Sequence, residues 1–369
     1  MTATVAALPD ATLPDVTRPD ATRHAGDVIV TSAGWDAGPT PTVAALVSTF
    51  RRPEFLADLV ACLEQQDLPV ADFEVVLVDN GSADDATWAR LADLVAASPA
   101  RMLALRLPAN HGPAPGRNGG ARRVRAPVFA ITDDDCLPTP GWLRAMRDAF
   151  ADAAVEVIQG RVHADPVHRD AMGPWDHTIW VTAPTPFFET CNVGYRRSAY
   201  ERVGGFDETD PLLHPPSGRA FGEDACLAWE VQRTGGAAAF VEGSVVHHRC
   251  IPGTYDRWLA DQRELVGFPG LARRSPLVAG WLYQGVFLDR RSAAFDLAVV
   301  GTAAAVFTRH RWLAVAALPW ARMRWRFARH LARGDRRDTA TIAARLAWSD
   351  TVALAAMAKG SVKHRRILL

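Results

Sequence analysis

The sequence predicts an α/β protein with a mostly parallel central sheet and a helical C-terminal extension. Between about residues 42 and 250, short and nearly continuous apolar runs alternate with segments of helical periodicity. Buried parallel strands consist of such runs, and strands that alternate with helices through short links indicate right-handed βαβ units. The last hundred or so residues instead alternate apolar runs with arginine-rich patches, which is typical of helices that lie at a surface.

The first half of the sheet follows from the order of these segments. We expect strands at residues 42–50, 73–82 and 101–107, with helices at 51–66 and 85–98 between them. The run at 73–82 stays apolar until it breaks at Asp79, Asn80 and Gly81, as a buried strand does where it ends. Asp79 is therefore expected at the carboxyl end of a strand.

The second half brings further polar residues to strand ends. A glycine- and proline-rich loop at 110–120 leads into a basic helix start, and the next strand, 127–136, ends in Asp133, Asp134 and Asp135. In open α/β sheets ligands bind outside the carboxyl ends of the strands. We therefore expect Asp79 and the three aspartates to open onto one crevice.

Composition excludes several classes of protein. The chain has 369 residues, 49% of them hydrophobic, which is enough for two domains or one large domain with appendages. Its 41 basic residues balance its 41 acidic ones, so nucleic acid is not an expected partner. The five cysteines never form a C-x-x-C pair, which argues against a disulfide framework or a zinc ribbon and favours a reducing cytoplasm.

Three regions are expected along the chain. Residues 1–38 repeat Pro-Asp among Thr and Ala, carry no secretory signal pattern, and are predicted to form a disordered arm. Residues 39–255 form the predicted central domain, with its two halves meeting near residue 140. In residues 256–369 we expect no uncharged apolar run to reach the roughly 18 residues that span a bilayer, and we therefore expect Arg- and Trp-flanked helices on a membrane surface.

The aspartate cluster is the sharpest chemical signal. Two carboxylates on one short loop suit a hard cation such as Mg²⁺ or Mn²⁺, which in turn neutralises a diphosphate. The alternative is a solvated acidic turn that caps the helix beginning near Trp142. The apolar strand before Asp133 favours the functional interpretation, because it fixes one end of the cluster in the sheet.

The other candidates are weaker alone. Glu223 and Asp224 can be an ordinary acidic helix start, although a carboxylate there can also act as a general base. Of His247 and His248, neighbours on a strand, only one can face the crevice. Asp79 suits a nucleobase or ribose but also begins an Asx turn.

Together the pieces resemble the family 2 glycosyltransferases, which are inverting enzymes of the GT-A type fold that use a nucleotide-sugar donor. The resemblance covers about residues 42–249. It rests on VSTFRRPEFL, VVLVDNGSADD, HGPAPGRNGGARRVRAPVFAITDDD, ETCNVGYRRSAYERVGGFDE, FGEDACLAWE and SVVHH, in that order. By this resemblance residues 39–140 form the donor half and 141–255 the acceptor half of a GT-A type nucleotide-binding sandwich.

The resemblance implies a role for each matching residue. It makes Asp224 the catalytic base. It assigns donor contacts to Ser48, Thr49, Arg51, Asp79, Arg117 and Asp134. It assigns Mn²⁺ or Mg²⁺ to Asp133, Asp135 and a histidine, His248 in preference to His247.

The implied function is metal-dependent, inverting transfer of one hexosyl or deoxyhexosyl group from a nucleoside-diphosphate sugar. The acceptor would be a glycan or lipid-linked glycan of the cell envelope, and the enzyme cytoplasmic at the inner face of the membrane. Arg51 stands where many family members carry asparagine, and no Q-x-x-R-W element follows Asp224, which disfavours a processive synthase. A non-catalytic scaffold and a sugar nucleotidyltransferase are the alternatives, although the first strand lacks the glycine-rich loop that the latter requires.

Overall fold

The computed structural model describes residues 27–210, 212 and 221–369. In these residues nine strands form one sheet in the order β1-β4-β3-β2-β5-β8-β7-β9-β6. The strands are β1 (Val28–Thr31), β2 (Val43–Thr49), β3 (Phe73–Asp79), β4 (Met102–Arg106), β5 (Val128–Asp133), β6 (Cys136–Pro138), β7 (Val155–Ala164), β8 (Val193–Arg196) and β9 (Ala237–His248).

Parallel pairing dominates the first half of the sheet, as the alternation of strands and helices predicts. Strands β4, β3, β2 and β5 pair in parallel, and β7 pairs in parallel with β9. The remaining pairs, β1 with β4, β5 with β8, β7 with β8 and β6 with β9, are antiparallel. Parallel neighbours require a crossover connection, and β7 returns to β8 through an irregular segment and short 3-10 turns instead.

The helices belong to two groups, one against the sheet and one beyond it. Those in the sheet domain are α1 (Pro53–Glu64), α2 (Asp85–Ala97), α3 (Pro113–Ala121), α4 (Trp142–Ala149), α5 (Arg197–Arg202) and α6 (Glu223–Arg233). Those of the C-terminal region are α7 (Tyr255–Glu264), α8 (Phe268–Arg274), α9 (Pro276–Trp281), α10 (Arg290–Thr308), α11 (Leu318–Leu331) and α12 (Arg336–His364).

The sheet is buried on both faces. One apolar cluster includes Leu59 of α1, Leu91 of α2 and Trp142 of α4. The other includes Ala114 of α3 and Leu227 of α6. Because both faces are covered, the strands β2, β3 and β5 are continuous apolar runs, which is the pattern that predicts them from sequence.

Order begins earlier in the chain than the sequence predicts. Residues 28–31 form β1, which pairs antiparallel with β4. Trp35 is buried, and the guanidinium carbon of Arg125 lies 3.9 Å from its ring centroid. The prediction of disorder is therefore wrong for residues 27–38, because a short β-branched segment pairs with the free edge of β4. The rest of the predicted arm, residues 1–26, lies outside the described residues.

The C-terminal helices pack as one layer against α12, which runs for 29 residues. Helices α7, α8 and α11 contact α12, and α10 packs against the 3-10 segment Arg311–Ala317. By length and composition α10 is the one described helix that could cross a membrane. The expectation concerns uncharged runs, and the uncharged part of α10 is residues 297–308; the helix reaches the spanning length because it also includes Arg290, Arg291 and Asp296.

Candidate active site

An open cleft of about 1160 Å³ lies at the carboxyl ends of β2 and β5. The register of the sheet creates this site, because Thr49 pairs with Asp79 across β2 and β3, and Ser48 pairs with Asp133 across β2 and β5. Residues Ser48, Thr49, Arg117, Asp133, Asp134, Asp135 and His248 line it. The structure thus brings together most of the residues that the sequence singles out.

Asp134 points inward and anchors the aspartate turn. Its carboxylate accepts hydrogen bonds from Oγ1 of Thr49 at 2.7 Å and from a guanidinium nitrogen of Arg52 at 2.8 Å. Burial raises the pKa of Asp134 to about 6, since the loss of hydration outweighs the attraction of Arg52. Through these contacts Asp134 holds the turn that carries Asp133 and Asp135 in place.

Asp135 and His248 face each other across the antiparallel pair β6 and β9, where Cys136 is the register partner of His248. Nε2 of His248 lies 3.5 Å from Oδ1 of Asp135, whereas Nδ1 lies 2.8 Å from the carbonyl oxygen of Arg249. A carbonyl only accepts, so Nδ1 carries the proton and donates, which leaves the Nε2 lone pair directed at Asp135.

This pair fits a divalent cation. Asp135, Cys136 and His248 are the cluster of described residues whose ligand atoms all lie within 4.8 Å of one another. Burial raises the pKa of the Cys136 thiol well above its usual value, so the sulfur stays protonated and the useful donors are carboxylate oxygen and imidazole nitrogen. Mn²⁺ accepts that donor set readily. His247 lies on the other face of β9, where His163 and Asp165 surround it.

Arg117 links the aspartate turn to α6. Its guanidinium donates to Oδ1 of Asp133 at 3.1 Å, to Oγ1 of Thr190 at 2.6 Å and to Oε1 of Glu223 at 3.2 Å. These three contacts leave Asp133 outside the cluster around His248 among the described residues. The side chain is buried, so its position is fixed from three sides.

The glycines around Arg117 form a helix, α3, where the sequence predicts a loop. A Cβ on Gly116 would lie 2.4 Å from Oγ of Ser48, and a Cβ on Gly120 would lie 2.2 Å from Cδ1 of Leu46. Glycine at these positions therefore lets α3 lie against β2. Close packing, and not a flexible phosphate loop, explains the glycine-rich sequence.

Asp224 is the second residue of α6, which begins at Glu223 directly after Gly222, whose φ of +75° favours glycine. Burial and the neighbouring negative charge of Glu223 raise the pKa of Asp224 well above its usual value, although Arg117 opposes the shift. Asp224 does not line the large cleft itself. The segment before α6, residues 213–220, lies outside the described residues.

Asp79 is fully buried and lines neither pocket, so it does not open onto the cleft as the sequence predicts. Its partners Ser82 and Arg106 line a second, smaller pocket of about 470 Å³ together with Asn110. Asn110 lines the large cleft too, so the two pockets adjoin. Oδ1 of Asp79 accepts from the backbone N–H of Ser82 at 3.0 Å. Among the described residues Oδ2 has no hydrogen-bond partner and only faces Nε of Arg106 at 3.5 Å. A buried acceptor of this kind suits an N–H donor of a ligand.

The structure separates the two adjacent arginines after β2. Arg51 has φ of +55° and an exposed side chain whose guanidinium lies over Phe50, and it does not line the cleft. Arg52 does, and one of its nitrogens bonds both Asp134 and Asp135. Sequence reasoning missed Arg52 because a pair of arginines does not reveal which one faces inward. It also missed Thr190 and Glu223 as partners of Arg117.

Comparisons with known proteins agree with this geometry. The sequence model of Glycosyl transferase family 2 matches residues 45–204. A validoxylamine A glucosyltransferase of Streptomyces hygroscopicus subsp. jinggangensis is 27% identical over 205 residues, which cover 46% of this chain and 47% of the relative. Glycosyltransferase AglE of Haloferax volcanii is 24% identical over 122 residues, which cover 33% of this chain and 40% of the relative.

The chain thus spans about half the length, or less, of these curated relatives. Among solved structures, a mannosyltransferase from Pyrobaculum calidifontis in complex with GDP-Man and Mn²⁺ has a TM-score of 0.51 and 19% identity, and the likeness covers 90% of both chains. This similarity confirms the predicted fold.

Proposed function

Because residues 45–204 match the sequence model of Glycosyl transferase family 2, we propose that the protein transfers a single sugar from a nucleoside-diphosphate sugar to an acceptor hydroxyl, with inversion at the anomeric carbon. One observation carries the proposal. Arg117 contacts Asp133 on the cation side and Glu223, the neighbour of Asp224, on the other. The same buried guanidinium thereby joins the aspartate turn to the start of α6, where the proposed base Asp224 lies.

Donor binding is assigned to the two adjoining pockets. Asp79 would accept a hydrogen bond from the nucleoside, and the cleft beside Ser48, Thr49 and Arg117 would hold the diphosphate. Arg52 lines the same cleft and takes the place that the sequence assigns to Arg51. Oδ2 of Asp79 supports this assignment, since among the described residues it accepts no hydrogen bond and has only the ion pair with Arg106, and a bound N–H donor would satisfy it.

Asp135 and His248 would hold Mn²⁺ or Mg²⁺, and Asp133, which the sequence also assigns to the cation, would join them only by giving up its bond to Arg117. Asp134 and Arg52 fix the aspartate turn. When bound, such a cation neutralises charge on the departing diphosphate. The protein's contribution is a preorganised donor set, since the hydrogen bond from Nδ1 to the Arg249 carbonyl already fixes the ligating tautomer of His248.

Asp224 would act as the general base. The acceptor oxygen forms a bond to the anomeric carbon while the bond from that carbon to the diphosphate oxygen breaks, and the hydroxyl proton moves to the Asp224 carboxylate. A single displacement of this kind inverts the anomeric configuration. The raised pKa of Asp224 supports this role, because it makes the carboxylate a stronger base than an exposed aspartate.

The proposal names the acceptor by its chemical class. We assign it to the hydroxyl of a glycan or lipid-linked glycan in the cell envelope, with the enzyme cytoplasmic and in peripheral contact with the membrane through residues 256–369. The arginine- and tryptophan-rich sequence of that region supports the assignment. Hexosyl transfer is supported by the name of the Streptomyces relative, which is a glucosyltransferase.

Release of nucleoside diphosphate tests this proposal. Purified protein is incubated with GDP-, UDP- or dTDP-hexoses, with Mn²⁺ or with chelator, and the diphosphate is quantified with and without an extract of envelope glycolipids. The proposal expects release from one nucleotide class that depends on both cation and acceptor, with a product of inverted anomeric configuration by NMR. Retained configuration, or tight donor binding with no turnover under any condition, would overturn it.

A further inference from the structure

The C-terminal region exposes a continuous apolar surface. From Leu297 to Thr308 helix α10 carries no charged side chain, and Val300, Val306 and Phe307 are 65%, 70% and 87% exposed. The chain then turns at Arg309 and returns through a 3-10 segment whose Trp312 and Val315 are also exposed. We call residues 297–318 the apolar hairpin. Contiguous exposed apolar surface on this scale marks an interaction site.

The two arms of the apolar hairpin pack against each other and are anchored to α12. A Cβ on Gly301 would lie 2.5 Å from Cβ of Ala316 and 2.9 Å from the Leu313 carbonyl oxygen, so the two arms pack backbone to backbone. A buried ion pair anchors its base: Asp350 of α12 accepts from Nε1 of Trp320 at 2.8 Å and from Nε of Arg324 at 2.6 Å. The apolar side chains therefore stand outward on a fixed support.

The charge around the apolar hairpin has one sign. Residues 297–334 contain no Asp or Glu and seven arginines. These are Arg309, Arg311, Arg322, Arg324, Arg326, Arg329 and Arg333. On α11 the exposed arginines 322, 326 and 329 alternate with Met323, Trp325 and Phe327, which are also exposed. Within this segment the exposed charges are all cationic, although Asp296 and Asp335 flank it and Arg324 is paired with Asp350. An apolar surface that carries such arginines complements anionic lipid headgroups, whereas a second copy of the same surface would repel it.

We propose that the apolar hairpin and the outer face of α11 form an interfacial docking surface for an anionic lipid bilayer. The uncharged part of α10 has 12 residues and is about 18 Å long at about 1.5 Å per residue, which is less than a hydrocarbon core of about 30 Å. Arg309 and Arg311 at the turn would also lie deep in the lipid if the hairpin stood upright. The hairpin therefore lies flat, with its arginines at headgroup level.

This surface lies one helix away from the cleft. Ala328 of α11 belongs to the same cluster as Trp175 and Trp258, and both tryptophans line the cleft. Docking would thus hold the cleft wall next to the bilayer. The inference rests on the proposed function in two respects: it makes the proposed peripheral membrane contact specific, and its consequence is access to a lipid-linked acceptor. Membrane binding can be measured without sugar transfer, so the two can fail separately.

Vesicle flotation with the full-length protein tests the docking surface. We expect it to float with phosphatidylcholine vesicles that contain 30% phosphatidylglycerol at low salt, and to float far less with phosphatidylcholine alone. The pair Val300→Asp and Val306→Asp should lower the partition coefficient at least tenfold, since it places two charges in the apolar face. Removing Arg322, Arg326 and Arg329 as glutamines should weaken binding to the anionic vesicles by about fivefold per arginine.

The matched control is Val70→Asp with Val362→Asp, two valines that are 47% and 82% exposed outside this surface. It should float like the wild type. Circular dichroism and thermal unfolding of each variant report the fold, and nucleotide binding without vesicles reports the donor site independently. Wild-type protein that ignores anionic vesicles would overturn the proposal. So would equal flotation of the Val300/Val306 variant, or a dimer in solution that only this variant abolishes.

Discussion

Nε2 of His248 lies 3.5 Å from Oδ1 of Asp135, while Nδ1 of the same ring is held by the carbonyl of Arg249. This relationship depends on the pairing of β6 with β9, which places the end of the last strand beside the aspartate turn. The cation site therefore joins two parts of the chain that are more than a hundred residues apart.

Replacement of His248 tests the cation site directly. His248→Asn removes the Nε2 donor and should weaken binding of Mn²⁺ alone at least about tenfold, by analogy with the cost of disturbing a metal's surroundings. The measurement is electron paramagnetic resonance of free Mn²⁺ during titration. His247→Asn is the matched control, because that ring faces His163 on the opposite side of β9. Equal effects of the two substitutions would contradict the assignment.

Replacement of Asp224 tests the base. Asp224→Asn keeps the shape of the side chain but cannot take a proton, so kcat should fall by about 10² to 10⁴-fold while donor affinity changes little. Steady-state kinetics and calorimetric titration with the donor separate the two effects. Glu230→Gln, two turns along α6, should retain activity. Full activity in Asp224→Asn would remove this residue from the mechanism.

The pH dependence of the reaction follows from the raised pKa of Asp224. Below that pKa the carboxyl group holds a proton and cannot accept another, so kcat/KM should decline as the pH falls. The decline should begin well above the usual aspartate value of 3.8. A pH profile of kcat/KM checks this, since it reports the ionisation of the free enzyme. An acidic limb near pH 4 would argue against a buried base.

Asp134 makes a prediction about stability. Its pKa is about 6 in the folded protein and near 3.8 in an unfolded chain, so the folded state holds this proton more tightly and loses stability as the pH rises from about 4 to about 6. A difference of two pKa units corresponds to a loss of about 3 kcal/mol in the free energy of unfolding. A substitution of Asp134 would recover less than this, because it also weakens the contact with Arg52.

Asp134→Asn should therefore unfold at a higher temperature than the wild type at pH 7.5, and the difference should vanish near pH 4. Thermal unfolding in chelator measures both values without a bound cation. Asp170→Asn, an exposed carboxylate in an irregular segment, should change neither. A variant less stable than the wild type at pH 7.5 would mean that the bonds to Arg52 and Thr49 outweigh the cost of burial.

The sequence predicts the parallel part of the sheet well because each strand there is buried on both faces. Continuous apolar runs locate β2, β3 and β5, and their carboxyl ends carry Asp79 and Asp133 in one region of the structure. The antiparallel strands β6 and β8 are three and four residues long, too short to give a pattern. The return of β9 to Asp135 therefore could not be derived from periodicity, and only the family resemblance implies it.

Side-chain direction is the main reason for the remaining differences. Arg51 and Arg52 are chemically identical in sequence, and the positive φ of Arg51 decides which of them reaches the aspartates. The glycines near Arg117 predict a loop by composition, yet they form α3 because β2 approaches closely. Likewise β1 gains its order from the edge of β4 and not from its own sequence.

Cation-dependent donor binding is the central claim, and a thermal-shift series tests it most directly. The melting temperature of the protein is measured with GDP-, UDP- and dTDP-sugars, each with Mn²⁺ and with chelator, for the wild type and His248→Asn. A donor that binds the folded state raises the melting temperature. We expect one nucleotide class to raise it in the wild type only with Mn²⁺, and to have little effect on the variant. The same shift in chelator, or in His248→Asn, would contradict the account.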